Sequence, residues 1–216
     1  MTIRQIVFSD NPLMRQKSRR VRRTSPATQQ LIDDMVETMH AANGLGLAAI
    51  QVGVPERVVV VRVPPERDPE QEPQDESSID HGELYVIVDP KLVRKSHEME
   101  DGIEGCLSIP GWVGEVLRHT AVTVKGMDRQ GQRVRIKADG LLARVFQHEI
   151  DHCDGILFTD HIEDSEKIWP VEEGQEEAAE AAQKIPNGAA EAAQKIPDGA
   201  AEAAQEIPNS AAEPLV

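Results

Sequence analysis

Two histidines and a glutamate in one short run, Gln147–His152 (QHEIDH), are the residues best suited to chemistry in this chain. On a helix, residues four apart share a face, so His148 and His152 can bind the same metal ion. Glu149 lies about 100° further round the helix, where it can move protons beside a metal without binding it. A divalent metal lowers the pKa of its water towards about 7, and a carboxylate can take the proton. The run therefore predicts metal-dependent hydrolysis, and a helix with two unrelated surface histidines is the plain alternative.

A catalytic metal site needs a third protein ligand and an open position. The metzincin pattern H-E-x-x-H-x-x-G-x-x-H fails here, because Phe158 stands where its last histidine would be. A glutamate from the acidic C-terminal segment is a less attractive source than Cys106, in Glu104–Ser108 (EGCLS). A thiolate suits a borderline divalent ion, although a lone cysteine is more often a small buried hydrophobe.

A glycine-rich segment, Gly44–Gln51 (GLGLAAIQ), is the third candidate feature. Glycine lets the backbone approach a ligand closely, and the amide of Gln51 could donate a hydrogen bond to a developing oxyanion. Taken alone, a glycine turn followed by a surface glutamine explains the segment more simply. The Lys-Ser/Thr ending of a phosphate-binding loop is absent.

The elements that position these motifs follow from helix caps and strand composition. Ser25 and Pro26 begin one predicted helix, which ends at Asn43–Gly44. A second predicted helix is capped by Asp139, carries both histidines and ends at Gly155. Strands are predicted at Arg57–Val63, Leu84–Val88, Thr120–Lys125 and Arg133–Lys137. Strands ahead of a single buried helix indicate an α+β fold instead of alternating βαβ units, and Pro64–Gly82 is predicted to be a surface loop.

Length and charge divide the 216 residues into one domain and an appendage. Residues 163–216 hold 13 acidic and 3 basic residues, and so carry −10 of the total net charge of −15. An 11-residue unit begins at Glu180, Glu191 and Glu202, and its prolines would break a right-handed coiled coil. We predict a catalytic domain at 1–168 and a disordered acidic tail at 169–216.

Composition also limits the partners and the compartment. A nucleic-acid partner is not expected, because phosphate binding needs a basic footprint. A solvated loop best explains one basic cluster, and docking on a ribosomal surface is the alternative: Arg15, Lys17, Arg19, Arg20, Arg22 and Arg23. The two cysteines favour a reducing compartment over a disulfide scaffold. The sequence contains no run of 18 apolar residues, so no membrane span is predicted. Arg4 and Asp10 interrupt the N-terminal segment, so no apolar core of a signal peptide is predicted either. We therefore expect a cytoplasmic protein.

The segments GLGLAAIQ, EGCLS and HEIDH resemble, in order and spacing, the three signature motifs of the peptide deformylase family. The similarity covers about residues 2–165 and includes the segments 3–6, 10–15, 126–139 and 143–158. Because the opening residues resemble the family, a transit peptide is not favoured. The resemblance implies an α+β fold in which antiparallel strands pack around a central helix that carries H-E-x-x-H.

The resemblance also implies a metallo-amidohydrolase that cleaves the C–N bond of a linear formamide. Such an enzyme removes the N-formyl group from the N-terminal formylmethionine of nascent polypeptides and releases formate. Cys106, His148 and His152 would bind one divalent ion per chain, most commonly Fe²⁺, with Zn²⁺, Ni²⁺ or Co²⁺ as substitutes. Other roles carried over to this sequence are general acid and base (Glu149), oxyanion donors (Gln51 and the backbone N–H of Leu107) and backbone pairing with substrate (Leu45, Gly46 and Gly105). Val145 is a candidate wall for the methionine side chain.

One segment departs from the family pattern. Many members carry an arginine shortly after the cysteine motif, where this chain has Gly111–Gly114 (GWVG). Trp112 in this segment belongs either to the core or to the edge of the substrate cleft. The departure from the family pattern is expected to affect the preference for particular peptides more than catalysis. Cys153 is expected to be a packed thiol.

The implied partners are formyl-Met nascent peptides and the ribosome near its exit tunnel, with no direct readout of nucleic acid and no membrane. Two other functions remain at this stage. A zincin-type endopeptidase is disfavoured by the missing third histidine. A catalytically inactive metal-binding or ribosome-associated protein is disfavoured by the intact motifs.

Overall fold

The computed structural model describes residues 2–64 and 82–171. Seven strands follow one another between its two α-helices, which is the order of an α+β fold. The helices are α1 (Pro26–Ala41) and α2 (Gly140–Asp154). The strands are β1 (Gly46–Ala48), β2 (Val58–Arg62), β3 (Leu84–Lys95), β4 (Met99–Cys106), β5 (Ile109–His119), β6 (Ala121–Met127), β7 (Arg133–Asp139) and β8 (Ile168–Pro170). Short 3-10 helices include Pro12–Arg15, Ala49–Val52, Phe158–His161 and Ser165–Lys167.

The strands form two antiparallel sheets, with the orders β1-β2-β3-β6-β7 and β4-β5-β8. Helix α2 packs against one face of the larger sheet, here called the inner face, and α1 covers part of the opposite, outer face. Successive strand residues point to opposite faces. Val59 and Val61 therefore enter the core beside α2, while Val58 and Val60 enter the core beside α1. Antiparallel strands around the histidine-bearing helix confirm the predicted fold.

Both helices begin where the sequence predicts, and α2 also ends where predicted, whereas α1 ends at Ala41, just before the predicted stop at Asn43–Gly44. The hydroxyl of Ser25 accepts a hydrogen bond from the backbone N–H of Thr28 at 3.1 Å, and Pro26 opens α1. Asp139 precedes α2 without a capping bond from its side chain. Gly155 ends α2 with φ of 77°, and a Cβ there would lie 2.5 Å from the carbonyl oxygen of Arg15. Glycine is required at this position for its conformation and for space.

The strand predictions are confirmed for β2, β6 and β7, with ends shifted by one or two residues. The prediction for β3 is wrong at its C-terminal end, since the strand continues beyond Val88 to Lys95. A bulge interrupts it at Asp89, whose φ is 54°, and the pairing with β6 resumes at Lys91. The bulge breaks the sequence pattern without ending the strand. The strands β1, β4, β5 and β8 were not predicted.

The predicted loop and tail fall largely beyond the described part of the chain. Residues 65–81 and the 11-residue repeats lie outside it. The boundary predicted between 168 and 169 falls inside β8, which pairs with β5 through Trp112 and Pro170. Among the described residues, no helix combines the length and the apolar composition needed to cross a bilayer.

Candidate metal centre and active site

Helix α2 places His148 and His152 on one buried face. Their Nε2 atoms lie 3.1 Å apart, and the Sγ atom of Cys106 lies 3.3 Å from Nε2 of His152. The three potential ligand atoms all lie within 4.8 Å of one another. Metal–nitrogen bonds of about 2.0–2.1 Å and metal–sulfur bonds of about 2.3 Å can join these atoms to a single ion between them. The donor set and its spacing therefore fit one metal ion.

A bulge at the end of β4 aims the thiol at the histidines. The pairing of β4 with β5 is regular to Gly105 and Val113, then shifts so that Cys106 pairs with Ile109. Such an irregularity bends a strand and redirects a side chain. The two residues between Cys106 and Ile109 form the turn into β5.

Gln51 points its amide nitrogen towards the same thiol. Its Oε1 accepts a hydrogen bond from the backbone N–H of Ala48 at 2.8 Å, so its Nε2 must face the other way. Nε2 donates to the hydroxyl of Ser108 at 3.3 Å and lies 3.6 Å from Sγ of Cys106. Gln51 is therefore buried and oriented as a hydrogen-bond donor beside the metal ligands, instead of lying on the surface.

The carboxylate of Glu149 is buried against β1. A Cβ at Gly46 would overlap this carboxylate, so only glycine permits β1 to cross α2 so closely. Oε2 of Glu149 is buried and has no hydrogen-bond partner among the described residues. Burial raises the pKa of Glu149 to about 7; the charge of His148 opposes the rise, and the charges of Glu104 and Asp151 add to it. A carboxyl group with a pKa near neutrality can both accept and return a proton.

A buried network of ion pairs fixes the ring of His148 through the nitrogen that faces away from the other two ligands. Nδ1 of His148 donates to Oε2 of Glu104 at 2.9 Å, which leaves Nε2 facing the other two ligands. Glu104 also accepts from Nε of Arg118 at 2.8 Å and from Arg144 at 3.1 Å. Burial alone would raise the pKa of Glu104, but its bonds to His148 and Arg118 outweigh burial and hold that pKa far below its usual range.

The same network extends through Arg118 to the part of α2 that carries His152. Arg118 donates to Asp151, the residue before His152, and His161 lies 2.8 Å from the same carboxylate oxygen. Burial and the nearby charge of His148 lower the pKa of His152. A neutral imidazole keeps the lone pair that a metal needs. Sequence reasoning missed Glu104 and Arg118 as site residues; the only local signal was the position of Glu104 two residues before Cys106.

The ligands Cys106 and His148, together with Gln51 and Glu149, face a cleft of about 310 Å³, whereas His152 is fully buried and outside the lining of that cleft. Its apolar walls include Leu45, Ile103, Leu141 and Val145. Trp112 lines the cleft, so it belongs to the edge of the site and not to the core. Of the residues predicted from sequence, the following line it: Leu45, Gly46, Gln51, Gly105, Cys106, Leu107, Val145, His148 and Glu149.

Two other sequence expectations concern residues beside the ligands. Cys153 is fully buried in the apolar core under α2, where burial raises the pKa of its thiol to about 12, so it is a packed thiol. Phe158, which replaces the last histidine of the metzincin pattern, is buried with its ring 6.3 Å from that of His148. It offers no ligand atom.

Comparisons with known proteins agree with this geometry. A family model described as polypeptide deformylase matches residues 3–168. The peptide deformylase of Thermomicrobium roseum is 47% identical over 182 residues, which cover 84% of this chain and 98% of that protein. The peptide deformylase of Rhizobium meliloti is 44% identical over 162 residues, covering 75% and 86% of the two chains. A crystal structure of the Ehrlichia chaffeensis peptide deformylase in complex with actinonin aligns with a TM-score of 0.68 at 38% identity, covering 77% of this chain and 92% of the other.

Proposed function

The chain belongs to the peptide deformylase family, and on that premise we propose which of its residues perform each part of the reaction. It is an enzyme that removes the formyl group from the N-terminal methionine of a polypeptide. The observation that supports the assignment of roles is the convergence, in one cleft, of a Cys-His-His metal site with a buried, unpartnered carboxylate.

Cys106, His148 and His152 hold the metal in this proposal. Iron(II) is the proposed ion, one per chain, with zinc, nickel or cobalt able to replace it, because two imidazoles and a thiolate accept several divalent ions. The chemistry that such an ion supplies when bound is Lewis acidity, which activates water and polarises a carbonyl oxygen.

Glu149 is the general acid and base in this proposal. Its carboxylate lies one residue from a ligand and faces the cleft, and its pKa is near 7. It takes a proton from the attacking water and returns it to the amine that leaves, as general acid–base catalysis of amide hydrolysis requires.

Gln51 and the backbone N–H of Leu107 stabilise the oxyanion. Nε2 of Gln51 lies beside the thiol of Cys106, and Leu107 follows that cysteine directly. Donors held in place before the reaction stabilise the charge that develops on the formyl oxygen without reorganising. Because Oε1 of Gln51 is tied to Ala48, the amide cannot turn its oxygen towards that charge.

The substrate backbone lies between two strand edges. In the part of the chain that the structure describes, β1 is the last strand of the larger sheet and β4 is the last strand of the smaller one, so each has an edge with no strand paired to it. Leu45 and Gly46 at one edge and Gly105 at the other can pair with an extended peptide as an added strand. Leu45 and Val145 then provide apolar surface for the methionine side chain.

The proposed setting is the cytoplasm, where nascent chains leave the ribosome. Formylated N-termini occur on newly made polypeptides, so an enzyme acting on them meets its substrate near the exit tunnel.

Formate release from formyl-Met-Ala-Ser by anaerobically prepared, iron-loaded protein tests this function. We expect turnover by the full chain and a loss of roughly 10²-fold or more in kcat for Glu149→Gln, with the metal content unchanged. Unformylated casein should stay intact. Full activity of Glu149→Gln would contradict the role given to this carboxylate.

A further inference from the structure

The outer face of the larger sheet carries a grid of cations on the side away from α2. Lys91, Lys125 and Arg135 are direct cross-strand partners on β3, β6 and β7. In the next row, Arg94 and Lys137 flank Thr123. Side chains opposite each other in a sheet lie on the same face, close enough to interact.

The alternation of buried residues fixes which way these cations point. Leu92, Val124 and Ile136 pack into the core beside α2, so the residues that alternate with them face outward. Lys95 of β3 is exposed as well, but it is the cross-strand partner of Val122, which packs in the core beside α2. On the outer face these strands expose six cationic residues, and none of the six makes an ion pair or a side-chain hydrogen bond with a described residue: Lys91, Arg94, Lys125, Arg133, Arg135 and Lys137.

The N-terminal segment extends this surface. Arg20 pairs with Asp89 of β3 at 2.6 Å, and the hydroxyl of Thr24 lies 3.2 Å from where a Cβ of Gly131 would be, in the turn between β6 and β7. The chain between them therefore runs from the bulge of β3, beside the end of β6, to the turn between β6 and β7, and it exposes Arg22 and Arg23. These two arginines and the six strand cations are called the basic face below.

Protection of a sheet edge explains only part of the basic face. Charged residues on an edge strand prevent unwanted pairing with other chains, and β7 is an edge strand. Lys91 and Lys125 lie on the interior strands β3 and β6, where no edge needs protection. Like charges directly opposite each other destabilise a sheet, so these cross-strand cations repel one another without any benefit to the fold. An anionic partner would relieve that repulsion. The described part of these strands and their turn carries three carboxylates, Asp89, Asp128 and Asp139, and Asp89 is already paired with Arg20.

We propose that the basic face binds the phosphate backbone of double-helical RNA. Phosphates are bound by clusters of unpaired lysine and arginine side chains. No aromatic residue is exposed among these cations, which disfavours stacking on single-stranded bases. Val93 is the one large exposed hydrophobic residue on the three strands, too little apolar surface for insertion into a lipid bilayer.

The choice of RNA rests on the proposed function, since a nascent polypeptide emerges beside ribosomal RNA. Composition alone disfavours a nucleic-acid partner, and the sequence offers one basic cluster, which includes Arg22 and Arg23, with docking on a ribosomal surface as the alternative interpretation. The register of the strands adds six further cations to that cluster. The cations are spread over residues 22–137 in sequence and meet only when β3, β6 and β7 pair.

Fluorescence anisotropy with a labelled RNA hairpin of about 20 base pairs tests the proposal. The full-length, metal-loaded chain is compared with Lys91→Gln/Lys125→Gln at several salt concentrations. The matched control Arg15→Gln/Lys167→Gln removes one exposed and one half-buried cation, whose partners are Asp160 and Glu115. Formate release by all three proteins is measured in parallel.

We expect the full-length chain to bind the hairpin, and the basic-face variant to bind it at least roughly tenfold more weakly. The slope of log K against log salt should fall by about 1.5 in magnitude, since each phosphate contact contributes about 0.7–0.9. The control should keep its affinity, and formate release should be equal in all three proteins. Equal RNA affinity of the two variants would overturn the proposal, as would binding to phosphatidylglycerol vesicles without binding to RNA. Loss of formate release in every protein would instead count against the proposed function.

Discussion

Nδ1 of His148 donates to Oε2 of Glu104 at 2.9 Å, while Nε2 of the same ring lies 3.1 Å from Nε2 of His152. One nitrogen of the imidazole is thus tied to a carboxylate and the other faces the metal site. Such a partner fixes the tautomer and the ring orientation of a metal-binding histidine. Arg118 and Arg144 hold Glu104 in turn, so the position of the ligand depends on β4, β5 and α2 together.

Glu104→Gln should weaken metal binding and destabilise the fold. Loss of a residue that orients a metal ligand commonly costs roughly 10- to 100-fold in metal affinity. Removing one partner of a buried ion pair costs roughly 3–5 kcal/mol, and here Arg118 would stay buried with Asp151 as its one remaining acidic partner among the described residues. Cobalt titration followed by absorption, together with urea unfolding of the metal-free protein, measures both effects. Glu115→Gln is the control, because Glu115 pairs with Lys167 near the surface. Cobalt affinity equal to that of the unaltered chain would contradict the positioning role.

The two cysteines should differ sharply in reactivity. Cys153 is fully buried and its thiol has a pKa of about 12, whereas Cys106 is partly exposed in the cleft. Because the thiolate is the reactive form, the metal-stripped native protein should react with one equivalent of Ellman's reagent. Cys106→Ser should lose that equivalent, together with bound metal and deformylation. Two equivalents in the native protein would show that Cys153 is accessible.

Gly46→Ala should impair catalysis more than metal binding. A Cβ at this position would lie 2.8 Å from Cδ of Glu149, so the carboxylate must move. We expect kcat to fall by roughly the 10²-fold or more that a displaced general base costs, with metal content retained. Gly44→Ala is the matched control. Its Cβ would meet Cδ1 of Leu107 at 3.0 Å, the end of a flexible side chain that can shift. Equal effects of the two substitutions on kcat would contradict this account.

Local signals in the sequence are sufficient to predict the two helices and the three metal ligands. Ser25 and Gly155 define helix ends by their own chemistry, and the spacing of His148 and His152 defines a face. Strand β4 escapes prediction because its sequence, Met99–Cys106 (MEDGIEGC), is rich in charge and glycine, without a regular apolar alternation. Strands of three residues, such as β1 and β8, are too short to show a period at all.

The missing parts of the site are those that depend on pairing between distant segments. The bond from Arg118 to Glu104 arises only when β5 folds back on β4, and the orientation of Gln51 depends on Ala48 and on the turn after Cys106. The basic face has the same origin, since Lys91 and Arg135 become neighbours of Lys125 only in the folded sheet. None of these relationships leaves a pattern in a short stretch of sequence.

Stability in acid should depend on Asp34 of α1. A hydrogen bond from Gln30 lowers the pKa of Asp34 from its ordinary 3.8; burial opposes the shift, and bonds from Arg4 and the backbone of Thr2 add to it. A carboxyl whose pKa is lower in the folded state stabilises the fold fully above its unfolded pKa, and this contribution is lost as the pH falls through the folded value. Urea midpoints of metal-free Asp34→Asn should therefore change less than those of the unaltered chain as the pH is lowered below about 4. Asp33→Asn, one residue earlier in α1, serves as the control; an unchanged acid dependence in Asp34→Asn would contradict the prediction.

Trp112 should govern the binding of residues beyond the formylated methionine. It lines the cleft where β5 pairs with β8, opposite Pro170, and the chain carries no arginine in this segment. It contacts none of the metal ligands by hydrogen bond or ring packing, so its loss should leave the chemical step intact. We expect Trp112→Ala to raise KM for formyl-Met-Ala-Ser by roughly 5- to 10-fold, equivalent to about 1–1.4 kcal/mol, with kcat unchanged. Trp169→Ala is the matched control, because Trp169 lies on β8 opposite Val113 and is absent from the lining of the cleft. Formyl-methionine amide has no residue beyond the methionine. Its KM therefore distinguishes a direct contact of Trp112 with the peptide from a role of Trp112 in the fold of the cleft. If KM for this short substrate rises as much as KM for the tripeptide, Trp112 supports the fold of the cleft and does not contact the peptide.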